Sequence, residues 1–225
     1  MYTLVIDTAT ERAIAALFYN DLLVEEEKFA PGLQSSGLLL PAIANLLQHQ
    51  NLSVSDLKLI VVGVGPGSYT GIRVGVAAAK ALSFPNKIPL VGVCSLATMS
   101  PEVDGPYLAL IDARVSGAYI LSGERKEGNL INQSEPALTT FSQIAKQITP
   151  NVTIVAPTIS RVQERLIEAG PLPSVSWLAA GPLAKHLLSK GRKLFDAGAY
   201  TKNAEVEILY LRKTQAEIER EQGTI

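Results

Sequence analysis

The chain has 225 residues, nearly half of them apolar, with a formal net charge of −1. That length suits one large domain or two small lobes with a sizeable core, and the single cysteine, Cys94, excludes an internal disulfide framework and fits a reducing compartment. The near-neutral balance argues against a general nucleic-acid or membrane binder, which carries a basic face, so any RNA contact would come from a local patch or a partner.

Tyr2 to Ile6 is an apolar run ending at Asp7 and reads as a buried strand. It has no basic n-region before that acid, so neither a signal peptide nor a membrane anchor is expected there. Later apolar runs are all broken by Gly, Pro or charge short of a spanning helix, and the expectation is a cytoplasmic protein. Ala13 to Tyr19 and Leu22 to Phe29 are further strands around an Asn20-Asp21 turn, which makes the opening an antiparallel meander. Ser35 or Ser36 can cap a helix to about His49. Leu59 to Val64 is a strand, followed by a glycine-rich turn and a helix from about Thr70 to Ser83 that Pro85 is expected to stop. Leu90 to Val93 is another strand.

The composition shifts to Pro, Gly and acid near 101–106, and a lobe boundary is placed there, giving lobes 1–103 and 104–225. A similar pattern then restarts: strand Tyr107 to Ile111, Asp112, a turn, strand Gly117 to Leu121. The echo hints at a duplicated unit. A helix near Phe141 to Gln147, a strand Val152 to Val155 and helices near Ile159–Glu168 and Leu178–Ser189 follow. Ile208 to Leu211 is the last apolar run, and 212–223 reads as a solvated helix whose packing could return it to the first lobe.

The most distinctive segment is Gly63-Val-Gly65-Pro-Gly67-Ser68-Tyr-Thr70-Gly71-Ile-Arg73. It joins a strand to a helix, where anions can dock on backbone N–H groups. It lacks the Lys-Ser/Thr of a P-loop and the acid of a dinucleotide fingerprint. On pattern alone the plainer reading is a tight turn that lets a helix pack closely on a sheet. Asp7-Thr8 and Asp112 are strand-end acids in matching contexts. They could hold a hydrated divalent metal between lobes, or simply cap turns. His49 and His186 sit in no spaced ligand motif, so a histidine metal site and Ser-His or Cys-His catalysis are not expected. Cys94 reads as a small core residue.

The two first-lobe helices are over-apolar. Leu38, Leu39 and Leu40 are successive, and Ala42 to Leu47 extends the spread beyond the single stripe a surface helix needs. In the second helix Arg73 and Lys80 share one narrow line, and Gly67, Gly71, Gly75 and Ala79 form a small-residue ridge that would admit another helix. Either these helices are sandwiched inside the chain's own domain, or another chain covers them. On the second alternative, Gly75→Leu or Ala79→Glu should abolish pairing and leave the fold intact.

Three segments resemble the TsaB (YeaZ) family: the opening strand with Asp7-Thr-Ala-Thr10, the Gly65-Pro-Gly-Ser-Tyr-Thr-Gly-Ile-Arg73 loop with its Ala-rich helix, and Ile88-Pro-Leu-Val-Gly-Val-Cys-Ser-Leu96. Leu110-Ile-Asp-Ala-Arg114 and Tyr210-Leu-Arg212 add to the likeness, which is dense over 1–115. The resemblance implies an α/β, actin-like (Hsp70-like) ATPase fold: a duplicated ribonuclease H-like motif with a shrunken second lobe. It implies a non-catalytic partner subunit of the machinery that threonylcarbamoylates the anticodon-adjacent adenosine of tRNA. Its partners would be TsaD, which carries the metal-binding histidines, and TsaE, with a homodimer when alone, tRNA reached only through the complex, and no membrane.

No catalytic or metal residue is expected, and no cofactor, apart from a nucleotide in the complex with TsaD. Asp7, Thr8 and Asp112 would be remnants of a nucleotide site. The expected contact residues are Leu38, Leu39, Ile43, Leu46, Leu47, Gly71, Arg73, Val74, Gly75, Ala78, Ala79 and Leu82. Gln34-Ser35-Ser36-Gly37 departs from the His-Ser/Thr-Glu-like run of many relatives. The alternative is a self-sufficient ATP-dependent phosphotransferase of the same fold, resting on Asp7 and Asp112. A peptidase reading finds neither a ligand set nor a base.

Overall fold

A computed structural model describes residues 1–30, 35–203 and 205–211. The first sheet is built from β1 (Tyr2–Asp7), β2 (Ile14–Tyr19), β3 (Leu22–Lys28), β4 (Leu57–Gly63) and β5 (Leu90–Val93), in the order β3-β2-β1-β4-β5. The opening meander is antiparallel and β1, β4 and β5 are parallel. Two helices provide the crossovers, α1 (Ser35–His49) and α2 (Tyr69–Asn86).

The second sheet is built from β6 (Gly105–Asp112), β7 (Ala118–Lys126), β8 (Asn129–Ile131), β10 (Thr153–Ala156) and β11 (Ser176–Ala179), in the order β11-β10-β6-β7-β8, with β9 (Ala137–Thr139) also paired to β7. Helices α3 (Phe141–Gln147) and α4 (Ile159–Ala169) take the places of α1 and α2. In each sheet the first strand is central, flanked by its hairpin partner on one side and by parallel strands on the other. This is the duplicated ribonuclease H-like unit of the actin-like fold, so the faint sequence echo marks a real repeat.

Period-2 alternation sends β1 side chains to two cores. Leu4 and Ile6, with Leu17, Ile60 and Val62, pack beneath Leu39, Ile43 and Leu46 of α1 and Ile72 and Val76 of α2. Val5, with Phe18, Leu59 and Val61, faces the opposite way and is covered by Leu187 and Leu188 of α5 (Ala184–Asp196). The first lobe is therefore a three-layer sandwich closed by a helix from the other end of the chain. In the second lobe α3 and α4 cover one face with Phe141, Ile144, Val162 and Leu166. The other face meets Leu96 and Met99 of the connection between lobes. No helix among the described residues is long and apolar enough to cross a membrane.

Two expectations need correction. Helix α2 passes through Pro85 and ends at Asn86, capped by Lys87 in the left-handed region with φ 52°. Pro85 lies in the last turn, and the Ala81 carbonyl it leaves without a helix bond belongs to an exposed residue that water can reach. The expected helix Leu178–Ser189 is instead the end of β11, a Gly181-Pro182 turn and the start of α5. The apolar run Ile208 to Leu211 forms no strand; it lies extended, with Leu209 N–H donating to Val64 O at 2.9 Å. The expected tail helix and positions 34–36 of the family departure lie outside the described residues or side chains.

Candidate functional site

Helix α2 has two faces of opposite character. The small-residue ridge points inward. A Cβ on Gly67 would collide with the carbonyl of Ala9, and one on Gly71 or Gly75 would collide with Thr8. The close approach is fixed by two bonds: the Thr8 hydroxyl donates to Gly71 O at 2.6 Å and Ser68 N–H donates to Ala9 O at 2.7 Å. Ser68 also caps the helix, accepting from Gly71 N at 3.2 Å. Ala79, at the end of the ridge, is fully buried. The glycines therefore serve the chain's own strand-to-turn junction and do not wait for a foreign helix.

The outward line is Tyr69, Arg73, Ala77, Ala81 and Phe84, all exposed. Their spacing of four, four, four and three keeps them on one side of the helix. Beside them α1 exposes Leu38, Leu40, Pro41 and Ala44. Phe84 is 63% exposed and Leu40 53%, so large apolar groups stand in water on both helices.

Of the residues expected at a contact surface, Leu38 and Arg73 are exposed, and Gly71, Val74 and Leu82 are half-buried. Leu39, Ile43, Leu46, Leu47, Gly75, Ala78 and Ala79 belong to the chain's own core. The physical reason is geometric: a shift of two residues turns a helix by about 200°, so 71-75-79 and 69-73-77-81 look in nearly opposite directions. Arg73 was the signal for the outward line, because a charge marks the side that water reaches.

A cleft of about 580 Å3 opens between the lobes, walled by the first turn of α2, by Ile111 to Arg114 and by Leu209 to Leu211. Asp112 and Arg114 line it, whereas Asp7 and Thr8 do not. Asp7 is fully buried at the end of β1. Its Oδ1 accepts from Ala9 N–H at 2.8 Å; Oδ2 lies over Gly63 beside Ser95 without an aligned hydrogen bond. Burial outweighs the lowering influences of Ser95 and the Ala9 amide and raises the carboxyl to about 6.

Asp112 has partners: Arg165 Nη1 stands 2.8 Å from Oδ1 and Arg161 Nε 3.9 Å from Oδ2. The two acids do not share a site, and no group of three or more potential metal ligands is present among the described residues. At the cleft mouth Arg73 stacks 3.8 Å over the Tyr69 ring and its Nε donates to the Tyr210 hydroxyl at 3.1 Å.

The histidines lie apart. His49 Nδ1 is 2.8 Å from Glu25 at the surface. His186 is buried with Nδ1 3.1 Å from Thr98 O, and burial pushes its pKa down to about 4. The Cys94 thiol is raised by burial. In the basic stretch of α5, Lys190 donates to Gln133 at 2.6 Å and Arg192 to Asp21 at 2.6 Å.

Residues 33–160 match the family model described as TsaD: tRNA N6-adenosine threonylcarbamoyltransferase. The chain is similar to the tRNA threonylcarbamoyladenosine biosynthesis protein TsaB of Escherichia coli (strain K12), 31% identical over 140 residues and covering 60% of each chain. It is similar to the Bacillus subtilis (strain 168) protein of the same name, 35% identical over 139 residues with 60% of each covered. It thus spans about 60% of the length of these relatives in the matched region. Among solved structures, YeaZ from Pseudomonas aeruginosa superposes with a TM-score of 0.77 at 22% identity, over 93% of this chain and 99% of that one, which shows a common fold.

Proposed function

This chain belongs to the family whose model is described as TsaD: tRNA N6-adenosine threonylcarbamoyltransferase, and from that premise we propose that it is a TsaB (YeaZ)-like pairing subunit in threonylcarbamoylation of the anticodon-adjacent adenosine of tRNA. It does no chemistry of its own. A TsaD chain docks on the outward faces of α1 and α2, TsaE joins that complex, and tRNA is reached only through it. Without TsaD two copies pair through the same face. The chain works in the cytoplasm and has no resident cofactor; a nucleotide enters only at the junction with TsaD.

The observation that carries this reading is the stripe Tyr69-Arg73-Ala77-Ala81-Phe84 beside Leu38, Leu40 and Pro41. Adjacent exposed apolar groups on two neighbouring helices mark an interaction surface. The alanines between Arg73 and Phe84 let a partner's backbone come close, and Phe84 and Tyr69 are aromatic anchors of the kind that dominate interface energetics. The lack of independent chemistry is supported by the state of the acids, since Asp7 is sealed from the cleft and Asp112 is already paired with arginine.

The test combines Ala77→Glu with Leu40→Asp, both on exposed positions. Sizing and co-purification with the TsaD chain should show association lost, with Tm moved by less than about 2 °C, as for surface changes. Undiminished association would reject this surface. Magnesium-dependent ATP turnover by the isolated chain would reject the non-catalytic role.

A further inference from the structure

We infer that the turn between β1 and β2, residues 8–12, is an interlobe latch that holds the two lobes at one fixed angle with the chain's own side chains. The lobes are joined covalently at 94–104 and 180–183. Relative motion about such connections is the default for two small bodies. Here the turn is gripped from both sides.

On the first-lobe side Thr8 and Ala9 are fixed to α2 by the two hydrogen bonds and the glycine contacts already described. On the second-lobe side Arg12 Nε donates to Pro157 O at 2.7 Å. The Thr158 hydroxyl donates to the Glu11 carboxylate. Gly181 lies so close that a Cβ there would come within 2.6 Å of Arg12 Cβ.

Thr158 immediately precedes α4, where a hydroxyl ordinarily caps the helix. It makes no side-chain cap bond; its hydroxyl is turned across the lobes to Glu11. Glu11 then stands at the start of α4, where negative charge is favoured. A second set of bonds sits at the covalent connection: Arg125 Nη1 to Pro101 O at 2.7 Å, Gln133 Nε2 to Ala97 O at 2.9 Å and Lys190 to Gln133.

A hinge pinned at its connection and again at the β1–β2 turn has no free rotation. Ligands commonly bridge lobes at such a junction; here the chain's own Glu11 and Arg12 reach across it. Because α2 carries the latch on its inward side and the exposed stripe on its outward side, that stripe and the second lobe move as one body.

The experiment is pulsed electron spin resonance on the full chain in a Cys94→Ser background, labelled at Glu27→Cys in the first lobe and Glu168→Cys in the second, both exposed, and diluted with unlabelled chain. The latched chain should give one narrow distance. Arg12→Ala should broaden it toward longer values and speed amide exchange at 158–162 about tenfold, the effect expected from losing one part-buried hydrogen bond. The core amides of β4 should be unchanged. If Arg12→Ala does not fold, Thr158→Val, which keeps the shape and removes the hydroxyl, should give the same broadening to a smaller extent. An unchanged distance width and unchanged exchange in the folded variants overturn the latch.

Discussion

Asp7 closes β1 in the first lobe and Asp112 closes β6 in the second, and in both the carboxylate Oδ1 accepts the backbone N–H two residues on at 2.8 Å. Beyond that bond they diverge. Asp7 is sealed beneath Gly63 and Ser95, has no cationic partner among the described residues and is raised to about 6. Asp112 lies at the cleft and meets two arginines of α4. The duplicated backbone decides where the acid stands, and the surrounding residues decide what its carboxylate meets. In the first lobe Gly63 and Ser95 close over the acid; in the second, helix α4 brings two arginines to it. A pair that could look like a metal site along the chain is, in space, one buried acid and one ion pair.

The harshest way to break the comparison is to disturb the glycine contact that seals the first-lobe junction. Gly75→Leu should lose about 4 kcal/mol and the cooperative urea transition, because the added side chain enters space held by Thr8, whose hydroxyl is tied to Gly71. A folded Gly75→Leu variant that merely fails to pair would put the ridge on the outside and refute the inward reading.

Asp7→Asn sharpens the contrast next. The amide keeps Oδ1 for Ala9 N–H and offers a donor toward Ser95. Asp7, raised from 3.8 to about 6, contributes fully to stability below its unfolded value and loses that contribution as pH rises through about 6. Its replacement should therefore gain up to about 3 kcal/mol at pH 8 and nothing near pH 4. His186 has the opposite sign: lowered from 6.5 to about 4, it contributes fully above 6.5 and fades as pH falls through about 4. The two slopes offset each other in the unaltered chain. Urea midpoints at pH 4.5, 6 and 8 should be nearly flat for that chain and should fall steadily with acid for Asp7→Asn. Parallel profiles would mean that the Asp7 carboxyl is not held neutral.

Much of this was legible along the chain because local chemistry announces it. The Asn20-Asp21 turn, the apolar runs of β1 and β4 and the Gly-Ser opening of α2 fixed the first lobe. The weaker repeat from Tyr107 onward located the second. The end of β11 was lost because Leu178 to Ser189 also suits a helix; the Gly181-Pro182 dipeptide was the missed stop. The inward or outward sense of α2 was lost for a different reason. Its apolar residues fill most of the circumference, so apolar periodicity sets no direction; the charge of Arg73 marks the outward side and the Thr8 contact fixes the inward one. The link from Glu11 and Arg12 to Pro157 and Thr158 joins residues more than 140 apart, and no local signal carries it.

Asp112→Asn is the gentlest test and the one that completes the contrast. The carboxylate is only 12% exposed, but Arg165 is 32% and Arg161 55% exposed, so solvent screens much of the pairing. A loss of about 1 kcal/mol is expected, the upper end for exposed ion pairs and ordinary for one hydrogen bond. The amide can still accept Arg114 N–H, so the turn should survive and the loss should come mainly from the closer pairing with Arg165. A double-mutant cycle with Arg165→Leu isolates that share, and adding salt should shrink it. Asparagine would then stabilise the first lobe and weaken the second at matching positions of one repeat. Should Asp112→Asn stabilise as well, the arginines would not offset the cost of the charge, and the distinction between a sealed acid and a paired one would fail.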